Sequence, residues 1–139
     1  MTTKKMAIIA TKGALDMAYP PLILASTAAA LGWEVQVFFT FYGLQLLRKD
    51  LSGIAISPIG NPAMPMPVPM PVVVSMLPGM EAMATSMMKA KMKKKGVASL
   101  EELRSLCQEA DVKFIACQMT VDLFDFKKTV FIEGIEYGG

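Results

Sequence analysis

Histidine is absent from this chain of 139 residues. That removes the serine and cysteine nucleophile mechanisms that lean on imidazole, histidine-ligated zinc, and imidazole acid–base chemistry together. Any reaction must use thiol, carboxylate, lysine or backbone groups. Cysteine is scarce too, with Cys107 and Cys117 the only two. The apolar run at residues 6–10 is too short for a signal-peptide core, so both read as free thiols of a reducing, cytoplasmic compartment. A charge imbalance is also lacking. With 14 basic against 12 acidic residues the net charge is +2, and no global field recruits nucleic acid. A spanning helix is the last exclusion. The charge-free window 51–80 is long enough for one, but seven of its residues are proline, each a missing donor and a ring clash.

What remains is a chain that is 53% hydrophobic, enough for one domain over 1–139 with a real core. Residues 6–10 form a continuous apolar run suited to a buried parallel strand. A turn at Thr11, Lys12 and Gly13 follows, then a helix over 15–31 that Pro20 and Pro21 bend or restart and Gly32 stops. Residues 34–39 are a β-branched and aromatic strand. Leu44 to Lys49 reads as a short helix and Ile54, Ala55 and Ile56 as a short strand. From about 58 to 96 runs a Met/Pro/Lys-rich insertion. It holds nine of the 13 methionines, its proline-rich part 61–78 reads as a cover loop, and residues 80–95 are helix-compatible. Ser99 and Glu102 form a capping-box pattern for a helix that puts Leu100, Leu103, Cys107 and Ala110 on one face and ends at Asp111. Residues 113–117 are a strand, 118–126 begin a short helix, and 132–139 trail off without structure. Alternating strands and helices predict an α/β fold, a three-layer, mostly parallel doubly wound sheet. Ligands of such sheets gather at the carboxyl ends of the strands, where segments 11–13, 40–43 and 117–120 should meet.

Cys117 ends a buried strand just before a helix start, where amide N–H groups and the helix dipole stabilise a thiolate. Thr120 or the intervening amides, that of Met119 included, could hydrogen-bond the sulfur. A small buried hydrophobe explains Cys117 about as well. Cys107, on an apolar helix face, reads as core filling out of disulfide reach of Cys117. Lys12, the amides around Gly13 and the Thr40 hydroxyl are candidate anion-holding groups. Phe41 and Tyr42 could wall a pocket or pack in the core. The methionines suit Cu(I) as soft ligands, or packing and subunit contact. Residues 11–13 lack the glycine spacing of a phosphate-binding loop, and no cofactor or resident metal is expected. The five lysines in 89–95 could steer an acidic partner or touch anionic lipid without spanning it.

Five segments in order carry a resemblance. They are residues 38–47 (FFTFYGLQLL), 87–96 (MMKAKMKKKG), 99–103 (SLEEL), 114–120 (FIACQMT) and 134–139 (GIEYGG). Together they resemble the DsrE/DsrF-like sulfur-relay family, in its peroxiredoxin-like subgroup. The resemblance implies a homo-oligomer and a cysteine that carries a persulfide or thiosulfonate received from rhodanese-type or TusA-like partners. In the family motif Ala-Cys-x-Met-Ser/Thr that cysteine falls on Cys117, with Met119 and Thr120 beside it. Such exchange needs an accessible, low-pKa thiolate and no separate base. A sulfurtransferase or sulfur carrier is therefore expected; the alternative is a non-enzymatic module that docks on a partner or membrane through the Met/Lys-rich segment.

Overall fold

The computed structural model describes residues 3–55 and 77–139. Its sheet is built from β1 (Lys5–Ala10), β2 (Glu34–Phe39), β3 (Lys113–Cys117) and β4 (Glu136–Gly138). All pairings are parallel and the strands lie side by side in sequence order. The α/β class with a parallel sheet is therefore as expected. β4 is the departure, since residues 136–138 had been read as structureless. Glutamate and glycine give this segment little strand propensity. It is held by pairing with β3, Ala116 opposite Tyr137 and Cys117 opposite Gly138.

Helix α1 (Leu15–Ala30) contains both prolines in its second turn and buries Leu15, Ala18, Leu22, Ala25 and Ala28 at helical spacing. Gly32 adopts a left-handed φ of 84° just beyond it, the conformation that ends helices at little cost when no Cβ is present. Phe41–Leu47 is a 3-10 helix that starts three residues earlier than expected. Ile54 and Ala55 lie in no strand; instead the Ala55 carbonyl accepts a hydrogen bond from Leu15 N–H at 2.8 Å. Ile56 and the Met/Pro stretch up to residue 76 lie outside the described residues.

Helix α2 (Met80–Lys94) carries its lysines exposed near its C-terminal end, where positive charge offsets the helix dipole. Helix α3 (Leu100–Glu109) opens on the expected capping box, with Glu102 N–H donating to Ser99 Oγ and Ser99 N–H to Glu102 Oε2, each at 3.2 Å. It packs against α1 and buries Leu100, Leu103 and Cys107. Ala110, expected on that face, is exposed at the helix end, and Arg104 is buried instead. The guanidinium donates to the Leu46 carbonyl at 2.8 Å and the Arg48 carbonyl at 2.6 Å, so Arg104 serves the free carbonyls that end the 3-10 helix. The short helix α4 (Gln118–Leu123) follows β3 directly. Among the described residues, no helix is long and apolar enough to cross a membrane.

One core joins Val35, Val37 and Phe39 of β2, Phe114 and Ala116 of β3, and the buried faces of α1 and α3. Phe39 meets Phe114 edge-on at 5.2 Å between ring centres, a favoured aromatic geometry. Outward positions alternate with these, as the strand period requires, and Ile9 among them is 70% exposed.

Arg104→Ala leaves two carbonyls without their donor and should lower the unfolding free energy by about 2–3 kcal/mol. Arg104→Lys should recover part of that. Urea unfolding measures both, and a loss below about 0.5 kcal/mol for the alanine variant would mean the carbonyls find other partners.

Candidate functional site

The register of β2 against β3 sets Phe39 opposite Ala116. One residue further along, Thr40 and Cys117 therefore leave the sheet together at its carboxyl edge. One turn of α4 brings Thr120 back over Cys117, and Thr40 Oγ1 lies 3.1 Å from Thr120 Oγ1. Phe41 N–H donates to the same Thr120 oxygen at 3.3 Å. Thr120 is fully buried, so these polar contacts replace the water it has lost.

The β1 and β2 loops meet on two glycines. A Cβ on Gly13 would strike the Tyr42 carbonyl oxygen, and one on Gly43 would strike the Ala10 carbonyl oxygen. Only residues without a side chain allow this approach. The three segments expected at the edge do converge. Gly13 is there for packing against Tyr42. Lys12 is exposed, and no described contact joins it to Cys117 or Thr120.

Two opposed effects act on the Cys117 thiol. Burial pushes its pKa up, which is the largest single influence. The polar surroundings supplied by the Thr120 hydroxyl and N–H, the Thr40 hydroxyl and the Met119 N–H pull it down, and together they prevail. The thiol therefore ionises below its ordinary range. Met119 contributes its amide, while its side chain is exposed.

Cys107 shows the opposite balance. It is fully buried, its Sγ lies 3.4 Å from the Leu22 carbonyl, and burial pushes its pKa up to about 11 against a weaker backbone hydrogen bond at Ser26. It fills the core, as its helix face suggested. Both cysteines are free.

Accessibility differs from expectation. Cys117 is only 4% exposed. Gly139 lies over it, so that a Cβ there would stand 3.9 Å from Cys117 Sγ and 3.0 Å from the Phe38 ring. The cover on that side is glycine backbone, which depends on the β4 pairing that sequence reasoning missed.

Phe41 and Tyr42 are surface residues, and core packing is not their role. Both meet Phe124 at the end of α4, with ring centres 6.4 and 6.3 Å away. Phe124 had no signal in the sequence beyond its apolar character. A cleft of about 490 Å³ between α1, α2 and the start of α3 is lined by Tyr19, Lys89, Met92 and Leu100, and Cys117 is not part of it. The Thr40–Thr120 hydroxyl pair beside Cys117 marks the candidate site better than that cleft does, because it stands where the loops meet at the carboxyl edge of the sheet. Among the described residues no group of three or more cysteine or acidic side chains could hold a metal ion.

The family model described as DsrE/DsrF/DrsH-like matches residues 2–139. The sulfur carrier protein DsrE2 of Allochromatium vinosum is 68% identical over 143 residues, covering 100% of this chain and 89% of that protein. YrkE of Bacillus subtilis, an uncharacterized protein, is 33% identical over 142 residues, covering 99% of this chain and 87% of its own length.

Alkylation by iodoacetamide should modify Cys117 in the folded protein and leave Cys107 untouched until unfolding. Because only the thiolate reacts, the Cys117 rate should rise with pH through a midpoint below that of an ordinary thiol. Thr120→Val removes the hydroxyl donor at constant shape. It should slow the reaction at neutral pH by at least about tenfold and move the midpoint upward. Peptide mass spectrometry across a pH series reads this, and an unmoved midpoint would show that the hydroxyl does not support the sulfur.

Proposed function

Because the chain belongs to the DsrE/DsrF/DrsH-like family, we propose that it is a sulfur carrier that holds its cargo on Cys117 as a persulfide or thiosulfonate. The observation that carries this reading is the place of Cys117 at the carboxyl end of β3, directly before α4, next to the hydroxyl pair of Thr40 and the buried Thr120. The 68% identical relative is named a sulfur carrier protein, which supports the same class of activity for this chain.

In the loading step the Cys117 thiolate attacks the outer sulfur of a donor persulfide. A new S–S bond forms to Cys117, the donor's S–S bond breaks, and the donor sulfur leaves as a thiolate with the bonding pair. In delivery an acceptor thiolate attacks the outer sulfur on Cys117, and Cys117 is the leaving thiolate. One sulfane sulfur moves, and the sequence of two steps consumes no oxidant or reductant. Thiosulfonate loading follows the same pattern when the sulfur received bears a sulfonate group. No histidine is needed for exchange that proceeds from a thiolate, and the Cys117 thiol ionises below its ordinary value.

Gly139 must draw back from Cys117 Sγ to admit the donor. Rhodanese-type and TusA-like sulfur-transfer proteins in the cytoplasm are the partners this reading favours, with the protein acting as a homo-oligomer.

Incubation with a persulfidated rhodanese-type protein, or with thiosulfate or tetrathionate, should add sulfur or thiosulfonate to Cys117, and mass spectrometry distinguishes the two. Cys117→Ser should abolish the adduct and Cys107→Ser should keep it. A wild-type protein that acquires no adduct from any of these donors would refute carriage on Cys117.

A further inference from the structure

Cys117 is buried, yet it does not belong to the core. Side chains along β3 alternate between the two faces of the sheet. Phe114 and Ala116 enter the core shared with α1 and α3, whereas Cys117 falls on the opposite face with Lys113 and Ile115. The strand register sets Ile9, Phe38 and Ile115 in one row across that face. Among the described residues it is largely open, with Ile9, Gln36, Lys113 and Glu136 all exposed. A side chain on such a face is 4% exposed only because something local stands over it.

Residue 139 stands there. Gly138 pairs with Cys117, and Gly139 then passes over the open face, where a Cβ would lie 3.0 Å from the Phe38 ring and 3.9 Å from Cys117 Sγ. Its φ of 94° is left-handed, a conformation that suits glycine and strains other residues. The anchorage of this segment is slight. β4 has three residues, each paired with β3. Its ion pair, Lys113 to Glu136 at 3.6 Å, is exposed on both sides, and Tyr137 is only partly buried beneath Lys128.

We infer that β4 is a gate on Cys117: paired with β3 it shuts the thiol off, and its local release carries Gly139 off the sulfur and opens a path from the bare face of the sheet. The use of this gate in sulfur transfer rests on the reading of Cys117 as the carrier thiol. The gating itself applies to any reagent. Reactions at Cys117 proceed from the open form, so their rates scale with the fraction of molecules in which β4 is released. The closed form limits contact with stray thiols and oxidants to the moments of opening.

The test follows access separately from ionisation. Iodoacetamide alkylation of Cys117 is read by peptide mass spectrometry at a pH above the thiol midpoint, beside hydrogen exchange of the β4 amides. The folded wild type should react at least about tenfold more slowly than the urea-unfolded chain. Glu136→Lys sets like charges together at Lys113 and should speed alkylation and β4 exchange alike, by about two- to fivefold. Adding Lys113→Glu restores the pair with its signs exchanged and should bring both rates back. Gly139→Ala should speed alkylation about three- to tenfold, through the penalty on left-handed backbone. Urea well below the unfolding transition should leave the alkylation rate nearly unchanged, because a local opening exposes little surface. A folded protein that reacts at the unfolded rate, variants whose β4 exchange quickens while alkylation does not, or alkylation that climbs with urea in step with global unfolding overturns the inference. If the variants do not fold, the exchange and urea series of the wild type decide it. Sulfur loading is measured on the same wild-type sample. A protein that takes up no sulfur sinks the carrier reading, while alkylation and exchange still decide the gate.

Discussion

The contact between two threonine hydroxyls, Thr40 and Thr120 at 3.1 Å, is the constraint on which the site depends. It closes only if three things hold at once. β2 must pair with β3 so that Phe39 stands opposite Ala116, because a slip of one residue would reverse which side chains face the core. The chain must turn into α4 immediately at Gln118, so that one helical turn places Thr120 above Cys117. The β1 and β2 loops must also pack as closely as Gly13 and Gly43 permit. Arg104 secures the far end of the same 3-10 helix, through the Leu46 and Arg48 carbonyls. The sheet, the glycine junction and a buried guanidinium thus converge on one pair of oxygens.

The two cysteines show why that pair matters. Both thiols are desolvated, and desolvation alone disfavours a thiolate. At Cys107 little opposes it, and the pKa rises to about 11. At Cys117 two hydroxyls and two amides reverse the outcome. Burial alone therefore does not decide how these two thiols ionise; the polar groups beside each sulfur do. The missing histidine is compatible with this, since thiol exchange depends on the thiolate and not on a separate imidazole base.

Local signals in the sequence went as far as the elements that stand on their own chemistry. The capping box at Ser99, the left-handed stop at Gly32 and the strand over residues 113–117 are each written in a few neighbouring residues, and each appears in the structure. The convergence of the three edge segments was also legible, because strand–helix alternation dictates it. What escaped were features created by distant partners. β4 has the composition of a tail and becomes a strand only beside β3. Arg104 carries a charge that helical periodicity assigns to solvent, yet the carbonyls it serves lie 58 and 56 residues away. Phe41 has no residue-level marker of its left-handed backbone. The exposed aromatic group of Phe41, Tyr42 and Phe124 needs α4 to end beside the β2 loop.

The proposed sulfur exchange at Cys117, which is only 4% exposed, looks contradictory until the nature of its cover is considered. Deep burial in apolar side chains would have raised the pKa, as it does for Cys107. Gly139 stands on that side of Cys117 and adds no side chain there, and the polar groups beside the sulfur outweigh its burial. The cover is also weakly anchored. β4 is three residues long, pairs with β3 alone, and is assisted at its surface by Lys113 to Glu136 at 3.6 Å and by Lys128 over the Tyr137 ring at 4.3 Å. Exposed ion pairs contribute at most about 1 kcal/mol, and short edge elements open at small free-energy cost. The β4 edge can therefore open while β2 stays paired with β3 and the threonine pair stays closed. Reactivity is set by the rigid part of the site, and access by its least stable strand.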